Sequence, residues 1–173
     1  PGQVFATCHE LGMPVDFLVN NAGFGGDEMF SDTPWPALAS EIQVMITAAT
    51  ELSHLMIPDM KARGWGRIIN VSSIAALMPP TTGLVYTGVK SYLLHFSQSL
   101  DLELKAYGIR VCAVCPGFTK TEFHEEMDKV DALNTTLPSA AWQDSDQVAL
   151  EGYDAAMAGK PVVVTGMINR IMT

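Results

Sequence analysis

The sequence predicts an α/β fold: a doubly wound parallel sheet of about four strands with helices on both faces. Three observations predict it. Short β-branched apolar runs recur at 15–19, 67–71, 109–115 and 161–165, each of the length and composition of a buried strand. Between them lie segments whose apolar residues step by three and four, the period of a helix packed on one face. The runs end in small or polar residues, Asn20-Asn21-Ala22-Gly23, Ser72-Ser73 and Pro116-Gly117, and in open α/β sheets ligands sit beyond the carboxyl ends of the strands.

The elements follow in order. Val4, Cys8 and Leu11 fall at helical spacing, and Gly12 closes that helix as a C-cap glycine. Strand 15–19 runs into Asn-Asn-Ala-Gly, where small residues let a ligand approach the backbone closely. Thr33-Pro34 reads as an N-cap with proline in the first turn. The helix that follows carries Leu38, Ile42, Met45, Ala49, Leu52 and Met56 on one face. Pro58 is expected to kink or end it, and Gly64-Trp65-Gly66 turns the chain into strand 67–71. After a loop at 75–83, a helix from Val85 to about Ala106 places Val85, Val89, Leu93, Phe96, Leu100 and Leu104 on a broad apolar face and closes near Gly108. Strand 109–115 follows. Residues 118–138 show no clean periodicity, as a lid or binding segment would not. A helix at 145–158, with Val148, Gly152 and Ala155 inward, leads through Gly159-Lys160 to strand 161–165.

The chain has 173 residues, enough for one domain with a substantial core. It is 48% hydrophobic and 17% charged, the balance of a globular protein. A net charge of −9 argues against nucleic acid as a partner. No apolar run approaches the roughly 20 residues that span a bilayer, and no signal-type segment opens the sequence, so no membrane role is expected. Three cysteines without framework spacing suit a reducing, cytoplasmic setting. Cys112 and Cys115 match C-x-x-C. They lie within a strand, where positions three apart face opposite sides, and lack the helix N-terminus that activates redox pairs. Two small buried residues is the better reading, and no metal site is expected.

The chemistry concentrates between Ser73 and Lys90. Tyr86 follows Ser73 by thirteen residues and precedes Lys90 by four, so phenol and ammonium share one helix face opposite a strand-end hydroxyl. A phenol can protonate the oxygen of a carbonyl that accepts hydride. Its ordinary pKa near 10 leaves little phenolate for the reverse reaction, and a cation one turn away is expected to lower that pKa. Ser73 would stabilise charge developing on the same oxygen. His54 and His95 do not fall with this group by spacing and are expected to serve packing or an interface.

Asn20-Asn21-Ala22-Gly23, Ser73, Tyr86-x-x-x-Lys90 and Pro116-Gly117-x-Thr119-x-Thr121, in that order and spacing, resemble the short-chain dehydrogenase/reductase family. The resemblance runs from Val15 to Thr165. It implies a Rossmann-type fold, a nicotinamide cofactor (NAD or NADP) and interconversion of a carbonyl and an alcohol in a small-molecule substrate. It also implies the roles: Tyr86 as acid/base, Ser73 orienting the substrate, Lys90 also binding the nicotinamide ribose. Asn21, Ala22 and Gly23 would line the adenine-ribose side, and Pro116, Gly117, Thr119 and Thr121 the nicotinamide and phosphate side. Two departures matter. The family opens with a strand and a glycine-rich T-G-x-x-x-G-x-G turn that holds the pyrophosphate, and residues 1–173 contain no such turn. The chain is thus expected to be a single partial Rossmann-type domain, a truncated member beginning before the family's fourth strand, with that strand as a bare edge. Met45 stands where the family has an asparagine that holds a relay water. The resemblance further implies a homodimer or homotetramer through the two long helices. The competing reading is a catalytically incompetent fragment acting only as a dimerising or partner-binding module. Near the site, Leu77, Met78, Phe118 and Phe123 would suit an apolar carbonyl compound.

Overall fold

The computed structural model describes residues 1–25, 29–79, 84–121 and 142–173. Four strands form one parallel sheet: β1 (Phe17–Asn20), β2 (Gly66–Val71), β3 (Ile109–Cys115) and β6 (Val162–Val164), side by side in that order. β3 is buried along almost its whole length, as a strand covered on both faces must be. Among the described residues β1 pairs only with β2. A second, two-stranded parallel pair, β4 (Thr119–Lys120) with β5 (Gln143–Asp144), follows Pro116-Gly117 and has no counterpart in the periodicity of the sequence.

The helices are α1 (Gly2–Glu10), α2 (Trp35–Ile42), α3 (Ala48–Arg63), α4 (Leu84–Leu104), α5 (Ser145–Met157) and α6 (Met167–Met172). Leu18, Met56, Met60, Ile68, Leu104, Ile109 and Val111 form one core layer under α3 and α4. Ile69, Cys112, Val114, Ala155 and Ala156 form another under α5. Cys112 and Cys115 belong to different clusters, as their places on opposite faces of β3 require. Both thiols are free and buried, and burial pushes that of Cys112 up to about 12, which leaves it unreactive.

Four local expectations are corrected. In α1 the residue packed on the core is Phe5, whereas Val4 and Leu11 are exposed; the sequence stripe was offset by one residue. Thr33 does not cap α2: its hydroxyl donates to the Met29 carbonyl at 2.9 Å, and Pro34 takes the cap position. Pro58 does not end the helix, since α3 continues to Arg63 and stops at Gly64 in the left-handed region, φ 69°. The long helix is not uniform either. Between α2 and α3, Gln43–Thr47 widens to a π turn, with the Ala48 N–H bonding to the Gln43 carbonyl five residues back. Single π turns of this kind are frequent at functional sites.

A buried polar ladder ties the strand ends to the helices. The Asn20 amide donates to Asn70 Oδ1 at 2.7 Å and to Ser53 Oγ at 3.3 Å. Asn70 donates to Ser97 Oγ at 2.8 Å, and Ser97 to the Leu93 carbonyl at 2.6 Å. Asn20, the first residue of the Asn-Asn-Ala-Gly stretch, thus fixes β1 to β2 and α3, which leaves the following residues at the mouth of the sheet. Among the described residues no helix is long and apolar enough to cross a membrane. Within 118–138, residues 122–138 lie outside the described residues, as do 80–83 of the loop before α4.

Candidate active site

Beyond the carboxyl ends of β1, β2 and β3 opens a cleft of about 1070 Å³. Ser73 sits where β2 ends, 9% exposed. Its hydroxyl accepts from the Ala75 N–H at 3.1 Å, starting a tight 3₁₀ turn at Ile74–Ala76, and its backbone is pinned by the Ile74 N–H bonding to the Pro116 carbonyl at 3.0 Å. That links the serine to the end of β3.

Tyr86 and Lys90 lie on the first turns of α4, on the side that faces β2. The hydroxyls of Tyr86 and Ser73 are hydrogen-bonded. The Lys90 ammonium donates to the Val71 carbonyl at 2.9 Å and lies 5.4 Å from the centre of the Tyr86 ring. Ser72, the residue before Ser73, donates its hydroxyl proton to the Lys90 carbonyl at 2.7 Å. Strand end and helix start are therefore laced together by two hydrogen bonds around the lysine. The residue types and spacing predicted these three neighbours; the part played by Ser72 was not read.

The electrostatics differ from expectation at one point. Tyr86 is raised above the ordinary tyrosine range, by burial first, opposed by the Ser73 hydrogen bond and reinforced by the negative charge of Glu41. The expected lowering by Lys90 does not win because the tyrosine is desolvated and the lysine is drawn away to Val71. Lys90, 5% exposed, is lowered from 10.5 to about 8 by burial, against the opposing pull of Cys115 and Glu41. The resting state at neutral pH is a phenol beside an ammonium that is close to losing its charge.

The remaining predicted residues border the same cleft. Asn21, Ala22 and Gly23 form one wall after β1, and Pro116, Gly117, Thr119 and Thr121 another after β3. Gly23 has a specific reason to be glycine: a Cβ there would meet Met45 Sδ at 3.0 Å and Lys90 Nζ at 3.7 Å. At Gly117 a Cβ would strike the Asn169 side-chain amide at 2.4 Å. Phe17, Val148 and Tyr153 extend the cleft across the sheet face; they are ordinary apolar positions whose role no sequence signal announced. His54 and His95 are exposed and do not line it. Among the described residues no cluster of His, Cys, Asp or Glu could hold a metal ion.

A hydroxyl, a phenol and an ammonium in one cleft can donate a proton to a substrate oxygen and stabilise charge on it. Known proteins resemble the chain along most of its length. The family model described as short chain dehydrogenase matches residues 2–132. An acetoacetyl-CoA reductase of Paracoccus denitrificans is 32% identical over 143 residues, 81% of this chain and 59% of that protein. A short-chain dehydrogenase of Sphingobium yanoikuyae, solved with NADPH, is 27% identical with a TM-score of 0.77, covering 88% of this chain and 57% of the other. A 4-hydroxyisoleucine dehydrogenase solved with NADH superposes with a TM-score of 0.82 at 23% identity, covering 94% and 71%; at that identity it speaks for the Rossmann-type fold alone. The chain spans about 59% of the length of the curated reductase it matches. The chain belongs to the short-chain dehydrogenase family.

Proposed function

We propose that the protein is an NAD(P)-dependent oxidoreductase that interconverts a carbonyl and an alcohol, with Tyr86 as its acid/base. The observation that carries this reading is the convergence of Ser73, Tyr86 and Lys90 where β2 meets the start of α4.

The cleft fits a nicotinamide dinucleotide. Its walls are small residues and hydroxyls, Gly23 leaves no room for a side chain beside Lys90, and of the three ammonium donors one is spent on Val71. Asn21, Ala22 and Gly23 would hold one side of the cofactor, Lys90 a ribose, and Pro116, Gly117, Thr119 and Thr121 the other side. A reduced nicotinamide held there would supply the hydride for the carbonyl carbon. Tyr86 supplies the proton for the oxygen, and Ser73, already hydrogen-bonded to Tyr86, stabilises the charge that builds there. Because Tyr86 is raised, the phenol is the form present at neutral pH, which suits reduction. Alcohol oxidation needs the phenolate and should speed up as pH rises into the alkaline range. The similarity to an acetoacetyl-CoA reductase and the apolar Leu77 and Met78 beyond Ser73 favour an aliphatic carbonyl compound as substrate.

Titration of the folded protein with NADH and NADPH, followed by nicotinamide fluorescence and then by oxidation in the presence of aliphatic ketones and 3-oxoacyl thioesters, tests the reading. Binding with turnover is expected. A folded sample that neither binds nor oxidises either cofactor favours the alternative, a dimerising or partner-binding module without catalysis.

A further inference from the structure

One buried carboxyl behind the lining of the cleft has no role in the mechanism above. Leu38, Glu41 and Met45 occupy successive inward positions on α2 and the π turn, and Glu41 is as deeply buried as Leu38, at 7% exposure each. Its Oε1 atom has no hydrogen-bond partner among the described residues. Leaving a buried polar atom without a partner is costly, more so for a charged group, and such an atom in a native fold calls for a reason.

Its surroundings supply one. One turn further on, Met45 Sδ and Lys90 Nζ both lie where a Cβ of Gly23 would project, at 3.0 Å and 3.7 Å from it. Met45 offers only a thioether, a weak acceptor. The titratable groups that face Lys90 are Tyr86 from its own helix, Cys115 from β3 and Glu41 from α2. Cys115 can pull on Lys90 only as a thiolate, and burial holds its thiol above the ordinary value, so toward neutral pH the charge available to the ammonium is the carboxylate of Glu41.

We propose that Glu41 is a positioning residue for the acid/base group, the buried anion whose charge keeps Lys90 an ammonium beside Tyr86. The inference rests on the oxidoreductase reading of the cleft. The Coulombic effects agree in sign. Burial raises Glu41 and Lys90 opposes this; burial lowers Lys90 and Glu41 opposes that. Each partner keeps the other charged inside a desolvated wall. Glu41 never touches the reacting atoms in this scheme. It decides how far into the alkaline range Lys90 still carries its proton.

The test is the alkaline limb of the pH profile for carbonyl reduction in wild type, Glu41→Gln and Glu41→Asp, with the Lys90 titration read independently by NMR of ¹³Cε-labelled lysine and assigned with Lys90→Met. Without the carboxylate the limb and the lysine titration should both move to lower pH by about one unit. Glu41→Asp, which keeps the charge, should retain the wild-type limb. A Glu41→Gln protein that loses rate equally at every pH with the limb unmoved, or whose Lys90 titrates as in wild type, overturns the proposal. The NMR titration needs no turnover, and Tyr86→Phe in the same assay reports on the acid/base reading, so failure of one is distinguishable from failure of the other.

Discussion

At the C-terminal end of α4, Asp101 is 3% exposed and saturated. Its carboxylate accepts from Arg110 Nε at 2.8 Å, from a second Arg110 nitrogen at 3.0 Å and from the Val111 N–H at 2.9 Å. Arg110 also donates to the Gly159 carbonyl, which joins β3 to the end of α5. At the other end of the same helix, the Lys90 ammonium makes one hydrogen bond among the described residues, to Val71, and on α2 Glu41 carries an oxygen with no partner among them. Both ends bury charge. One end satisfies it completely and the other leaves it short. A saturated pair resists change in protonation and so serves the fold. An under-satisfied group has a proton affinity that its neighbours can move, which is what acid/base chemistry requires.

The comparison can be broken at either end. The largest effect is expected from Asp101→Ala. Removing one partner strands Arg110 and the Val111 N–H, and breaking such a pair costs roughly 3–5 kcal/mol, the lower end here because Arg110 keeps some contact with solvent. Urea unfolding of the variant measures it. The same pair sets a pH signature. Burial pulls the Asp101 carboxyl up, but the Arg110 hydrogen bond, the Val111 N–H and the nearby charges together hold it below the ordinary aspartate range. Its stabilisation is therefore present above the unfolded-state value near 3.9 and is lost as pH falls through the lower folded-state value. Wild-type urea midpoints should fall across that acid window more steeply than those of Asp101→Asn.

Substitutions at the opposite end should behave in the reverse sense. Glu41→Gln removes an unpartnered carboxylate oxygen but also the charge that offsets Lys90, so its unfolding free energy is expected to stay within about 1 kcal/mol of wild type, while the pH profile moves. A loss as large as that of Asp101→Ala would mean that Glu41 is structural. Smaller still is Gly23→Ala. The new methyl would press on the flexible Met45 side chain at 3.0 Å, so stability should change little, whereas nicotinamide affinity measured by fluorescence should weaken several-fold. The smallest effect is expected at Cys112, whose thiol should stay unreactive toward a disulfide reagent until the protein unfolds.

What the sequence made legible follows the physics of the signals. The order of strands along the chain, the helix carrying Tyr86 and Lys90, and the end of β2 at Ser73 come from periodicity and spacing, and β1, β2, β3 and β6 lie where those signals put them. Glu41 escaped because an apolar stripe is found by counting apolar residues. Position 41 lies between Leu38 and Met45 on the inward face, yet its residue type removed it from consideration. Ser53, Asn70 and Ser97 are buried for a related reason: each finds a partner on another element, and such pairings leave no local pattern. The π turn at Gln43–Thr47 changes the hydrogen-bond register without changing composition. The β4–β5 pair joins two-residue segments too short to show a period. The direction of the Tyr86 shift was also invisible, because spacing reveals a nearby cation but not the desolvation that outweighs it.

The most direct test is the rate of carbonyl reduction per folded molecule in Tyr86→Phe. The account predicts a protein that keeps its melting temperature and its nicotinamide binding but turns over about 10²–10⁴-fold more slowly, the loss of one general acid. A Tyr86→Phe protein that reduces its substrate at the wild-type rate would contradict it.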